Sequence, residues 1–176
     1  MKDVRRQKKP VGQSTQRRDQ LMQERIHDPY KARAKHAGPA ICPRCKAVWD
    51  AGRWFWSSQS LDQAESALCP ACHRIDDKYP AGELHVSGQF ALAHRQEILD
   101  LMRNCEAREG REHPLARIMT IEHREDELYV TTTDLHLPRV IANALERAFK
   151  RQAEFHYDLE GYYARIRWSR EAGARS

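Results

Sequence analysis

The sequence predicts an α+β protein: a four-cysteine ribbon followed by a four-stranded, mainly antiparallel sheet with two helices, behind a disordered basic arm. Three observations lead to this class. Two C-x2-C pairs enclose a segment rich in Trp, residues 1–36 carry an excess of cations, and the chain beyond the second pair switches between helical and strand periodicity. The segments we expect are an arm (1–40), a ribbon (41–84), a sandwich domain (87–170) and a disordered tail (171–176).

The arm holds few apolar side chains, and these do not recur at a helical spacing. Residues 1–36 contain 11 Lys or Arg and 4 Asp or Glu, a net charge of +7, whereas the remaining chain has 19 against 21, a net charge of −2. One short helix is expected in the arm, because Asp28 can cap it, Pro29 suits the first helical position and residues 30–36 can continue it. The basic character of the protein therefore belongs to one segment.

Two longer helices are expected beyond the cysteines. Ser87 is a suitable N-cap for a helix over residues 88–108. Asp134 can cap a helix that runs to residue 150, and Pro138 is tolerated in its first turn. The apolar stripe of the first helix consists of Ile98, Leu101, Met102 and Cys105, at positions i, i+3, i+4 and i+7.

The strands are expected in two pairs. Residues 115–123 and 127–133 would be joined across an acidic turn, and residues 154–158 and 162–168 would form a closing hairpin. The order helix, strand, strand, helix, strand, strand is a cyclic permutation of the ferredoxin-like pattern. It predicts two helices on one face of a four-stranded sheet.

The cysteine pairs carry the most specific chemical signal. Cys42 and Cys45 form one C-x2-C pair and Cys69 and Cys72 the other, with 23 residues between them. Four thiolates at about 2.3 Å satisfy Zn²⁺ in a tetrahedron, and two such pairs are the usual source of them. We therefore predict one structural Zn²⁺. With protein at all four positions, no site is left for a reactive water.

Other interpretations of the cysteines remain open. A redox dithiol needs only one C-x-x-C pair and leaves the second unexplained. Iron in a rubredoxin-like site suits the same ligands, and His73 is an alternative ligand to Cys72.

The sequence begins without a secretory signal and has no apolar stretch near the roughly 18–20 residues of a membrane span. We therefore expect a cytoplasmic protein with reduced thiols, no disulfide scaffold and no membrane partner.

Positive charge and aromatic residues suggest a nucleic-acid partner, because Lys and Arg contact phosphates and aromatic rings stack on bases. The aromatic segment between the two C-x2-C pairs has a second interpretation: its rings form the miniature core of the ribbon or pack the ribbon against the C-terminal domain. On the last strand, alternation would place Tyr163, Arg165 and Arg167 on the open face of the sheet. The candidate RNA-contacting residues are Lys8, Lys9, Arg17, Arg18, Lys31, Arg33, Lys35, Arg53, Trp54, Trp56, Tyr163, Arg165 and Arg167. Charge alone does not distinguish RNA from DNA.

Several motifs resemble those of one protein family: DPYK at 28–31, ICPRCKAVW at 41–49, GRW at 52–54, CPACHRIDDKYPAG at 69–82, HPL at 113–115 and VTTTDLH at 130–136. The chain resembles small bacterial zinc-ribbon proteins related to the nonsense-mediated-decay-type adaptor of the large ribosomal subunit, over about residues 28–170. The resemblance to the adaptor itself is confined to the cysteine ribbon. It implies zinc on the four cysteines and an association with ribosomes or RNA, and it implies no catalytic residue.

The function expected from these observations is zinc-dependent RNA binding, with ribosomes or ribosomal RNA as the partner. The alternative is a zinc-ribbon protein-interaction module whose arm is only a solvated tail. An enzyme is not expected, because the sequence has no P-loop, H-E-x-x-H or G-x-S-x-G motif. We accordingly expect no small-molecule substrate, and we expect metal removal to unfold the ribbon while the sandwich domain stays folded.

Overall fold

A computed structural model describes residues 28–33, 36–58, 63–158 and 162–173, which contain five helices and nine strands. Most of the predicted basic arm, and residues 174–176 of the predicted tail, lie outside these ranges. None of the helices in the described ranges combines the length and the apolar composition that crossing a membrane requires.

The first described elements are a short helix and a small sheet. Helix α1 (Pro29–Arg33) begins as predicted, with the Tyr30 N–H donating to Asp28 Oδ1 at 2.9 Å. The helix is described through Arg33; residues 34–35 lie outside the described residues, and His36, where the helix was expected to end, is not helical. The small sheet has the order β3-β2-β1-β4. Its strands are β1 (Ala40–Ile41), β2 (Val48–Asp50), β3 (Arg53–Phe55) and β4 (Glu65–Ser66), and helix α2 (Pro70–Asp77) follows.

The second sheet contains five strands, in the order β6-β7-β5-β9-β8. Strand β5 pairs antiparallel with β7 and parallel with β9. The elements of this part are β5 (Gly82–Ser87), α3 (Gln89–Ala93), α4 (Arg95–Glu112), β6 (Ile118–His123), β7 (Glu127–Thr132), α5 (His136–Phe149), β8 (Glu154–Asp158) and β9 (Tyr163–Ser169).

The α+β class is confirmed, whereas the four-stranded sheet with two helices is not. Strand β5 was missed, and it lies at the centre of the sheet and crosses the predicted boundary at residue 84. Its alternation is short: Leu84 and Val86 are fully buried on one face, and the polar residues Glu83 and His85 occupy the other face. Strand β5 pairs parallel with β9, whereas the other three pairings of the sheet are antiparallel, so the sheet is mixed but mainly antiparallel, as predicted.

The helix expected over residues 88–108 is two helices, α3 and α4. Ser87 is the last residue of β5, so it does not cap the helix. Gly88 precedes α3 at a φ of 94°, where a Cβ would lie 2.4 Å from the Arg170 carbonyl oxygen. Only glycine fits this close approach without strain. Helix α5 lies where predicted, and its Leu137 N–H donates to Asp134 Oδ1 at 3.0 Å.

The main hydrophobic core lies between one face of the five-stranded sheet and helices α4 and α5. Trp168 of β9 is fully buried there, and its indole N–H donates to the Arg151 carbonyl oxygen at 3.0 Å. The inward side chains alternate along β9, as the sequence predicted for Ile166 and Trp168. Other core residues are Leu84, Val86, Ile98, Met102, Leu128, Val130, Leu137, Ile141 and Leu145.

A buried arginine joins the segment at residue 28 to the rest of the chain. Arg74 of α2 is 1% exposed, and its Nη2 donates to Asp28 Oδ1 at 2.7 Å. Its Nη1 donates to the Tyr79 carbonyl oxygen at 3.1 Å. The guanidinium also lies 4.3 Å from the Tyr30 ring centre and 5.7 Å from that of Tyr162. Arg74 therefore contacts three separate parts of the sequence.

Candidate metal centre

The first cysteine pair lies in the tight turn between β1 and β2. The Cys42 N–H donates to the Ala47 carbonyl oxygen at 2.8 Å, and the Lys46 N–H donates back to the Cys42 carbonyl oxygen at 2.9 Å. Lys46 takes a φ of 66°, in the left-handed region, which closes the turn. This backbone arrangement directs both Cys42 and Cys45 toward the second pair.

The second pair lies at the start of α2. Cys69 is the N-cap, and its sulfur accepts the Cys72 N–H at 3.4 Å. Pro70 follows in the first turn, where its missing N–H costs no helical hydrogen bond. Because Cys69 and Cys72 are separated by one helical turn, both sulfurs face the first pair.

The four sulfur atoms of Cys42, Cys45, Cys69 and Cys72 lie within 4.8 Å of one another. Cys45 Sγ and Cys69 Sγ are 3.6 Å apart. A tetrahedron with metal–sulfur distances of about 2.3 Å has sulfur–sulfur edges of about 3.8 Å, so the cluster has the size that one metal ion needs. His73 is exposed and packs near the Tyr30 ring, so the cysteines form the set. These four residues can hold one metal ion, as predicted.

Three of the four cysteines of this centre are buried, and the fourth, Cys45, is half-buried. Cys42 and Cys69 are completely buried, and Cys72 is 1% exposed. Burial raises the pKa of the Cys72 thiol to about 11, whereas the hydrogen bond from Cys69 lowers the pKa of Cys45 to about 4. Since a metal takes thiolates, loading the ion must displace protons. A four-sulfur centre without an open position is suited to holding structure.

Sequence reasoning missed Arg117, which contacts the cysteines from the segment directly before β6. Its Nη1 donates to Cys72 Sγ at 3.5 Å. Burial lowers the pKa of the Arg117 guanidinium, but the neighbouring thiolates outweigh that effect and raise it. The two residues lie 45 positions apart, and a lone arginine before a strand carries no local sequence signal for such a contact.

The aromatic residues between the two C-x2-C pairs divide into two groups. Trp54 is 7% exposed and packs against Trp49 and the ring of His36, in the core of the ribbon. Trp56 is 43% exposed, and its indole N–H donates to the Gly110 carbonyl oxygen of α4. The rings thus build the ribbon and fasten it to α4, as the core interpretation predicted. Their contact with RNA stays a prediction.

The remaining RNA candidates are not gathered at one place. Arg53 is exposed beside the Phe55 ring, and Lys31 is exposed on α1, which also contains Arg33. Tyr163, Arg165 and Arg167 share the sheet face opposite the core, as the alternation predicted. The candidates Lys8, Lys9, Arg17, Arg18 and Lys35 lie outside the described residues.

A polar cluster centred on Glu83 occupies this second sheet face. Glu83 is 6% exposed and accepts hydrogen bonds from the Tyr129 and Tyr163 hydroxyls, both at 2.8 Å, and from Arg165 Nε. Burial raises the pKa of Glu83, but these three donors outweigh it and bring the pKa to about 2. His85 completes the cluster, with Nδ1 3.0 Å from Glu127 Oε2. The two tyrosine hydroxyls are therefore already engaged.

Beside this cluster, the edge of the sheet forms a cavity of about 370 Å³. The strand register places Arg165 opposite His156 and Arg167 opposite Glu154. In the described part of the chain, neither the Arg167 nor the His156 side chain forms a hydrogen bond or an ion pair. The cavity is lined by Glu154, Phe155, His156, Arg165 and Arg167.

Comparison with known proteins adds nothing to this geometry: the chain matches no family model, no curated protein and no solved structure.

Proposed function

We propose that this protein is a zinc-stabilised, non-catalytic RNA-binding protein that associates with ribosomes or ribosomal RNA. The observation that carries the proposal is the cavity at the β8–β9 edge, where Arg167 and His156 have no side-chain partner among the described residues and lie beside Arg165, which pairs with Glu83. The metal centre supplies a folded ribbon, and zinc is the ion that four thiolates in a closed tetrahedral site suit best.

The cavity has the chemistry of a phosphate site. Arg165 uses Nε for Glu83, so both its Nη groups remain for a ligand. Arg167 adds a second guanidinium on the same face, and His156 adds a ring nitrogen that can donate. Guanidinium groups donate paired N–H bonds that match phosphate oxygens. Glu154 reduces the local positive charge of the cavity. A ligand that places only a few phosphates there is therefore favoured over a duplex, whose backbone would place a continuous row of phosphates.

An aromatic side chain next to the cavity favours single-stranded RNA. Phe155 is 38% exposed on the edge strand, and its ring stacks on that of Tyr157 with centres 6.5 Å apart. An exposed ring beside phosphate donors can stack a base, which is worth about 1–3 kcal/mol per base. The tyrosines around Glu83 are held by hydrogen bonds, and Phe155 is the aromatic residue among those that line the cavity. Its register opposite Ile166 places it on the core side of the edge strand, so a base stacked on it would reach around the sheet edge from the phosphate donors.

Replacing Arg167 should weaken RNA binding by about the value of one phosphate contact. We expect Arg167→Met to lower the affinity for a labelled single-stranded RNA, and to reduce the slope of log affinity against log salt by about 0.7. Fluorescence anisotropy across a salt series measures both quantities.

Arg103→Met is the matched control for charge. Arg103 lies on α4, is 62% exposed and pairs only with Asp100 among the described residues. Arg103→Met removes the same charge at a place away from the cavity. Its RNA affinity and salt slope should therefore stay near those of the unchanged protein. Equal effects of the two substitutions would show that the cavity is not the RNA site.

The basic arm should determine how strongly the protein binds a ribosomal particle. We expect the full chain to sediment with ribosomes from a gently lysed extract, and deletion of residues 1–26 to release it at moderate salt, since the deletion removes cations that contact phosphates. RNase treatment should also release it.

Two results would contradict this expectation. Migration as a free protein under every gentle condition would overturn the ribosomal partner. Association that survives both nuclease and high salt would instead favour a protein-interaction module, in which a protein surface is the ligand.

A further inference from the structure

The ribbon and the sandwich domain meet beside the cysteines. Leu115, from the segment before β6, packs on the ribbon core of Trp54 and the cysteines. Arg117 follows two residues later and reaches Cys72. The Arg117 guanidinium also lies 5.9 Å from the Trp56 ring centre, and that indole donates to α4. One short segment of the sandwich domain therefore covers the metal centre.

The backbone of Arg117 is held by the sandwich domain. Its N–H donates to Thr133 Oγ1 at 2.9 Å, and the Thr133 N–H donates to the Arg117 carbonyl oxygen at 3.0 Å. The side chain is oriented by a further bond from Nε to the Pro114 carbonyl oxygen at 2.8 Å. The guanidinium is therefore aimed at Cys72 by the end of the sheet, and the ribbon supplies only the acceptor.

Arg117 lacks an ordinary counter-ion. No carboxylate in the described ranges forms an ion pair with it, and its Nη2 is buried without a hydrogen-bond partner. A buried guanidinium is costly unless a negative charge compensates it. Four thiolates on a divalent ion carry a net charge of −2. Their sulfur atoms would be the negative charge that the Arg117 guanidinium contacts, through Cys72 Sγ.

We propose that Arg117 is the charge partner of the metal centre and fastens the ribbon to the sandwich domain, so that metal binding and docking of the ribbon are coupled. Metal loading places negative charge beside Arg117, and Arg117 in turn stabilises the loaded centre. Partners just outside the ligands commonly change metal affinity by about 10–100-fold. The inference rests on the metal occupancy proposed above and is independent of RNA binding.

The test compares zinc affinity between Arg117→Met and the full, unchanged chain. Competition with a chromogenic chelator should show about 10–100-fold weaker zinc binding in Arg117→Met. Arg124→Met is the matched control, because Arg124 is an exposed arginine of the β6–β7 turn that pairs with Glu122 and Glu127. Its zinc affinity should equal that of the unchanged chain. Equal affinities in all three proteins would overturn the proposal.

A second measurement needs no variant and guards against a misfolded Arg117→Met. Hydrogen exchange of the unchanged protein, with zinc and after chelation, should show faster exchange at the Arg117 and Thr133 amides once zinc is gone. The amides of β9 should change much less, because, among the described residues, β9 pairs with β5 and β8 and not with the segment that covers the cysteines. Equal exchange rates of the Arg117 and Thr133 amides with and without zinc would overturn the coupling. Failure of the unchanged chain to bind zinc stoichiometrically would overturn the metal occupancy itself.

Discussion

Cys42→Ser is expected to abolish metal binding and to unfold the ribbon between residues 40 and 77. The ribbon core consists largely of the ligands themselves, together with Ala47, Trp54 and Ala71. Such a small cluster cannot replace the free energy of metal binding, which is on the order of 10 kcal/mol for structural zinc. Metal analysis of the purified protein and limited proteolysis measure the loss, with cleavage expected first inside the ribbon.

The matched control for this substitution is Cys105→Ser. Cys105 is a buried cysteine of α4, 4% exposed, and it belongs to the main core instead of the four-sulfur cluster. Cys105→Ser should retain a full complement of metal, with at most a moderate loss of thermal stability from the buried hydroxyl. A Cys42→Ser protein with full metal content and unchanged protease resistance would disprove the assignment of the centre.

Arg74→Met is expected to lower the free energy of unfolding by about 3–5 kcal/mol, because it leaves a buried carboxylate without its partner. Asp28 is 3% exposed, and Arg74 is the residue that compensates its charge. The substitution also removes the contacts of the guanidinium with the Tyr30 and Tyr162 rings. Urea unfolding, followed by tryptophan fluorescence, measures the change.

An exposed ion pair that involves the same helix, α2, provides the comparison for this loss of stability. Arg44 pairs with Asp76 of α2, with side chains 52% and 36% exposed. Arg44→Met should cost no more than about 1 kcal/mol, as exposed pairs do. The double variant Asp28→Asn/Arg74→Met should be less destabilised than Arg74→Met, because no charge is left buried. Similar losses for Arg74→Met and Arg44→Met would refute the role given to the buried pair.

Elements with a long or regular pattern were predictable from the sequence. Helix α5 and strand β9 lie close to their expected bounds, since each buries one face with a clear period. Strand β5 has only Leu84 and Val86 as inward apolar residues, directly after the ribbon helix. Its central position follows from pairing with β7 and β9, far along the chain, which no local pattern encodes.

The metal ligands were predictable because the C-x2-C spacing itself encodes the geometry. The two arginines that connect the ribbon to its surroundings were not. Arg74 and Asp28 are 46 positions apart, and Arg117 and Cys72 are 45 apart. A single arginine in a polar sequence looks like a surface residue, and its burial depends on tertiary packing. Such contacts become visible only when the elements are placed together.

The parallel pairing of β5 with β9 has a consequence for how the protein is made. Glu83 and Tyr163, which meet across these strands, are 80 positions apart. During synthesis, β5 emerges long before β9, and contacts so distant in sequence form slowly. Until then, one edge of β5 has no partner and its inner apolar side chains lie near an incomplete core. An unpaired edge of this kind recruits other chains. The nascent protein should therefore depend on chaperones until β9 has been made.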